Sequence, residues 1–150
     1  MRSRDAGFTL IEVIIVTVVL GILFSVIIAN VRGEVISNQI RTATSEVALN
    51  LERARSAAIR TSKDASLTLS TGGASYDLRT NGVAATDPLV TYAVPGGVIL
   101  KINASTAAAT IKYNAPYGDL DAIGRTLTFS KSGGTDQTIY LVGVTGKVTR

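Results

Sequence analysis

The chain has 150 residues, with 15 Lys and Arg against 11 Asp and Glu and a hydrophobic fraction of 46%, enough for one membrane helix and one small soluble domain but not for a second domain. Neither histidine nor cysteine occurs. This removes the commonest general base, the thiol nucleophile and the usual zinc ligands, argues against an enzyme or a zinc site, and leaves the domain to hold by packing without a disulfide.

The chain opens on a short polar leader, Met1-Arg2-Ser3-Arg4-Asp5-Ala6-Gly7, with two Arg against one Asp. By the positive-inside rule it stays in the cytoplasm while the rest of the chain is sent outward. From Val13 to Val31 no charged residue occurs. At about 1.5 Å per residue this run reaches about 28 Å, close to the roughly 30 Å hydrocarbon core of a bilayer, and predicts a membrane segment. Glu12 sits just inside the apolar block, where an acidic group costs about 2.5 to 3.5 kcal/mol at the bilayer centre and therefore calls for a cationic partner. A cut after Gly7 would create an amino group on Phe8, four residues from Glu12, and would set cation and anion at one depth.

Gly7-Phe8-Thr9-Leu10-Ile11-Glu12 resembles the class III signal of type IV pilins and pseudopilins, a Gly, then Phe, then a glutamate at the fifth position of the mature chain. The resemblance implies a partner, prepilin peptidase, that cleaves between Gly7 and Phe8 and N-methylates Phe8. It also implies that Glu12 forms the assembly salt bridge to the amino terminus of a neighbouring subunit. An ordinary secretory signal fits less well, because the apolar block is too long, holds an acid and ends Ile27-Ile28-Ala29, with a bulky residue where a small one is wanted. A plain single-pass anchor leaves Glu12 without a purpose.

Helix is expected to continue past the apolar run. No proline falls between Arg32 and Arg60, and Ile36, Ile40, Ala43, Val47, Leu51, Ala54 and Ala58 recur at helical spacing. Arg41, Glu46, Glu52, Arg53, Arg55 and Arg60 fall largely off that stripe, so one side faces a core and the other faces water. Burial of each large stripe residue is worth about 1.5 to 3 kcal/mol, more than an exposed ion pair. Residues 8 to 60 as one helix would reach about 80 Å, with Gly21 and Gly33 as its weak points, each costing about 1 kcal/mol relative to Ala. Major pilins and many pseudopilins carry a proline about two turns after that first glycine. Here the position is Ala29, which argues against the bulk filament subunit and against local melting of the helix.

After Thr61-Ser62-Lys63-Asp64 the period changes to two. Strands are predicted near 65 to 71, 74 to 80, 89 to 94, 98 to 103, 109 to 113, 125 to 130, 137 to 142 and 144 to 149. Between them Gly72-Gly73 and Asn81-Gly82 supply positive φ, while Pro95-Gly96-Gly97 and Ser132-Gly133-Gly134 mark tight reversals. The fold class is α+β, a long N-terminal helix packed against antiparallel sheets. Leu51 to Arg60, the strand directly after it, and the segment from Leu127-Thr128-Phe129 to Gly146-Lys147-Val148 resemble the GspH/FimT family of minor pseudopilins and minor pilins, in which two small antiparallel sheets pack on the helix.

The domain division expected is a leader at 1–7, a transmembrane and assembly helix at 8–31, and a periplasmic pilin-like domain at 32–150. The first use of such a chain is as a minor subunit in a type II secretion pseudopilus or a type IV pilus, together with other pilin subunits and the inner membrane. The alternative implied by the resemblance is DNA binding for uptake, through Lys131, Lys147 and Arg150; two or three cations supply only a small counterion term. Asp119 and Asp121 could offer carboxylates to calcium, but two acids without further ligands read better as a solvated turn. Asn103-Ala104-Ser105 fits a glycosylation sequon and reads as a turn after a strand. Neither a metal nor a cofactor is expected.

Overall fold

The computed structural model describes residues 9–142 and 147–149, the side chains of residues 26–30 and 147 excepted. Helix α1 runs Leu10–Thr61 and starts on a side-chain cap. The Glu12 backbone N–H donates to the Thr9 hydroxyl at 3.3 Å and to the Thr9 carbonyl at 3.1 Å. Thr9 and Glu12 have the Thr-x-x-Glu spacing of a capping box. The helix assignment is continuous through Gly21, Ala29 and Gly33, consistent with the lack of a proline there.

By its contacts the chain divides into Met1–Val35 and Ile36–Arg150. In the first unit the described apolar side chains of α1, from Leu10 to Phe24, are all exposed. In the second, α1 buries Ile40, Ala43, Val47, Leu51, Ala54 and Ala58, with Ile36 partly buried against the same core. The buried face is wider than the predicted stripe and also takes in Thr44, Ala48, Asn50 and Ala57. Two of these are polar and are satisfied locally or across the core: the Thr44 hydroxyl donates to the Ile40 carbonyl at 2.7 Å, and Asn50 meets a tyrosine described below. Polarity hid them from a hydrophobic pattern.

Nine strands follow among the described residues: β1 Ala65–Leu69, β2 Ser75–Arg79, β3 Leu89–Ala93, β4 Ile99–Ile102, β5 Ala109–Asn114, β6 Asp119–Leu120, β7 Thr126–Ser130, β8 Gln137–Val142 and β9 Lys147–Thr149. They form two antiparallel sheets, one of 5 strands in the order β3-β2-β1-β5-β6 and one of 4 in the order β4-β7-β8-β9. Each sheet turns one face to the helix, the first with Leu67, Leu69, Tyr76 and Ile111, the second with Leu100, Leu127, Phe129 and Ile139, all buried. The alternation seen in the sequence is therefore an inside and an outside of each sheet. The sheets join at Gly73, whose carbonyl accepts the Leu100 N–H at 2.9 Å. Gly73 has φ +74, and a Cβ there would collide with the Leu100 carbonyl oxygen, so only glycine fits this junction.

One expectation is corrected. Asp119-Leu120 is not a solvated turn but the short strand β6, with Leu120 opposite Tyr113 and Asp119 opposite Asn114, and Leu120 is buried. Two residues are too few to show a period. The expected last strand is described over Lys147–Thr149; residues 143–146 lie outside the described residues.

Candidate functional site: the amino-terminal helix

The chemistry of the amino-terminal part of α1 follows from what its surface lacks. Val13, Ile14, Ile15, Val16, Val18, Val19, Ile22, Leu23 and Phe24 are each about half exposed or more, an apolar surface far beyond what a soluble monomer leaves open. The polar residues in it do not interrupt it. The Thr17 hydroxyl donates to the Ile14 carbonyl at 3.2 Å and the Ser25 hydroxyl to the Ile22 carbonyl at 2.7 Å, so both are satisfied by their own helix. Such a surface is at rest only against lipid tails or other apolar helices.

Glu12 lies in the first turn of α1 with its side chain exposed. An acidic group there sits favourably at the positive end of the helix dipole, worth about 0.3 to 1 kcal/mol at an exposed site. Its neighbours Gly7 and Phe8, the expected cleavage pair, lie outside the described residues. The Thr9 cap was readable from its spacing to Glu12 but is masked in the sequence by the stronger glycine signal beside it. Among the described residues no helix is long and apolar enough to cross a membrane. The part of the run with described side chains, Leu10 to Ser25, extends about 24 Å, short of the roughly 30 Å needed.

The expected cations fall differently. Lys131 is held inside the second unit, its ammonium donating to the Gln39 side-chain oxygen at 2.7 Å and to the Gly96 carbonyl. It thus ties α1 to the Pro95–Gly97 turn and to the end of β7. The side chain of Lys147 and all of Arg150 lie outside the described residues. Asp121 pairs with Arg125 at 3.5 Å and accepts the Lys112 N–H at 3.4 Å. Among the described residues no three metal-capable side chains cluster. Asn103 shapes the turn after β4, at φ 50, its side-chain oxygen accepting the Thr126 N–H at 3.0 Å.

The titrating groups that are displaced serve the fold. Asp64 lies below the ordinary carboxylate range, first because Lys112 bonds it and next because the Ala115 N–H does. Burial raises Tyr113 and Tyr76, Tyr113 further through the Glu52 charge.

Residues 2–28 match the family described as the prokaryotic N-terminal methylation motif. No curated protein and no solved structure matches the chain. A motif of this kind implies processing by prepilin peptidase and assembly with other pilins, the work of a structural subunit and not of an enzyme. The chain carries this motif followed by a long helix and antiparallel sheets, a build consistent with a type IV pilin-like protein.

Proposed function

We propose that the chain is a minor pseudopilin or minor pilin of the GspH/FimT type, assembled through its N-terminal helix into a type II secretion pseudopilus or a type IV pilus. It divides into the leader 1–7, the transmembrane and assembly helix 8–31 and the periplasmic domain 32–150. The precursor is a single-pass protein of the inner membrane. Cleavage between Gly7 and Phe8 frees an amine that is then methylated, Glu12 pairs with such an amine on a neighbour, and the apolar helices bundle as the filament core. The observation that supports this most is the methylation motif over residues 2–28 lying on the helix whose apolar side chains are uncovered.

The test is intact-mass analysis of the chain expressed with and without prepilin peptidase. With peptidase the chain should lose residues 1 to 7 and gain one methyl group on Phe8. Gly7→Leu should stay full length, since a cleft that accepts a residue without a Cβ leaves no room for a side chain. Cleavage of Gly7→Leu at the wild-type rate, or a cut elsewhere, would contradict the reading.

A further inference from the structure

From Ile36 onward helix α1 is gripped by two loops of its own unit. A Cβ on Gly134 would stand 2.6 Å from the Ile36 side chain and 2.7 Å from that of Ile40, and one on Gly96 would stand 2.9 Å from Gln39. Both backbones therefore approach α1 more closely than a residue with a side chain allows. Lys131 fastens the same end, its ammonium donating to the Gln39 side-chain oxygen at 2.7 Å and to the Gly96 carbonyl. The turn Pro95–Gly97 and residues 131–134 thus clasp α1 over residues 36–40. To loosen there, the helix would have to give up a charge-assisted hydrogen bond and uncover Ile40, which is 1% exposed.

Residues 31–35, immediately before the clasp, are all exposed, Val31 at 54% and Val35 at 48%. Outside its own stretch of helix, no described atom lies within 4 Å of where a Cβ on Gly33 would be, so no close packing in this chain calls for a glycine. Arg32 and Glu34 have no opposite charge three or four residues away, which leaves the turn without the ion pairs that support an exposed helix. Glycine in a helix interior is about fivefold less favourable than alanine, and the β-branched valines on either side are weaker helix formers than alanine as well. Short stretches of helix in water are held chiefly by packing. Packing is missing on this turn and complete on the next.

We propose that α1 carries a joint at residues 31–35, a single turn centred on Gly33 that opens and recloses while the helix on either side stays formed. The clasp sets its limit toward the carboxyl end. Toward the amino end the limit rests on the membrane reading proposed above, in which lipid covers the apolar side chains of residues 10–24 and takes away the water that competes for their backbone hydrogen bonds. Gly21 lies inside that covered run and therefore does not open, although its propensity is the same as that of Gly33. No proline breaks the helix at Ala29, so the weak point falls one turn later, on a glycine. An opened turn absorbs backbone rotation that a continuous helix would transmit.

Amide hydrogen exchange of the full chain in detergent micelles tests this. Amides of residues 33–37 should exchange at least roughly a hundredfold faster than those of residues 47–51, with residues 14–25 protected. Gly33→Ala should slow the 33–37 window about fivefold, whereas Gly21→Ala should leave it unchanged. The chain has no cysteine, so a second reading comes from paired spin labels. Labels at Leu23→Cys and Asn38→Cys, about 22 Å apart along an unbroken helix, should give a broader distance distribution than labels at Thr42→Cys and Ser56→Cys, about 21 Å apart within the clasped part. Gly33→Ala should narrow the first and not the second. Slow exchange at 33–37 beside protected residues 14–25, or equal widths for the two pairs, overturns the joint alone. Fast exchange through residues 14–25 as well overturns the membrane reading and, with it, a joint confined to one turn.

Discussion

The Asn50 side-chain amide donates a hydrogen bond of 2.7 Å to the hydroxyl of Tyr76, joining α1 to β2 inside the core. Both residues are buried, at 1% and 0% exposure, and the Arg53 guanidinium donates to the Asn50 side-chain oxygen at 3.1 Å. Each polar group is thereby paired, which a buried amide requires. Tyr76→Phe leaves the Asn50 amide without its acceptor and should cost about 1 to 3 kcal/mol. A thermal melt with an unchanged midpoint would show that this bond carries no stability.

Tyr113 presents the opposite case. Its side chain is fully buried, and its hydroxyl has no hydrogen-bond partner among the described residues. Removing a polar atom that is already unpaired relieves a desolvation cost, so Tyr113→Phe should hold or raise stability, by up to about 1 kcal/mol. Burial also raises the phenol above its ordinary value, so its contribution is present below the unfolded pKa of about 10 and is lost as pH rises beyond it. The variant should lose less stability than wild type between pH 9 and pH 11 in urea titrations. A marked destabilisation at pH 7 would mean that the hydroxyl is bonded after all.

The seven-residue stripe on α1 and most strand positions were legible in the sequence, because burial repeats every 3.6 residues in Ile40, Ala43, Val47 and Leu51, and every two in strands such as β7. What periodicity cannot show is partnership. Alternation assigns Leu67 and Tyr76 to an inner face but does not say that β1 lies between β2 and β5, nor that the strands separate into two sheets at Gly73. Asn50 looks like a solvent residue until Tyr76 is brought to it, and Lys131 looks like a free cation until Gln39 and Gly96 surround it. The helix that carries the functional claim was legible for a different reason, since the leader, Glu12 and the charge-free run are local in the chain.

Asp64 carries a pH prediction. Lys112 lies 2.8 Å from its carboxylate, with the two side chains 34% and 33% exposed, and the Ala115 N–H donates to it at 2.9 Å. Exposure limits the ion pair to about 1 kcal/mol or less. The folded pKa is depressed below the unfolded value of about 3.9, so the contribution is complete above about pH 5 and lost as pH falls through the folded pKa. Asp64→Asn should lower stability at pH 7 and flatten its decline between pH 5 and pH 3. Equal slopes for wild type and variant in urea titrations would contradict the assignment.

The unit Ile36–Arg150 contains the whole of the buried apolar cluster. A fragment of residues 33–150 should therefore fold without residues 1–32. Circular dichroism should show mixed helix and strand with a cooperative melt; a coil spectrum, or a melt without cooperativity, would place part of the stability outside this unit.

The most direct test of the account is Glu12→Val, expressed beside the other filament subunits. The change removes the one costly group from the apolar block, so membrane insertion and cleavage after Gly7 should proceed as in wild type. In the filament the neighbour's Phe8 amine would be left buried without its counter-ion, and breaking a buried pair in this way costs about 3 to 5 kcal/mol, more than a hundredfold in a subunit interface. Cleavage, membrane fraction and incorporation into sheared filaments or crosslinked subcomplexes are measured together. The account predicts normal cleavage with incorporation lost; normal cleavage with incorporation unchanged would show that Glu12 has no assembly partner and would contradict it.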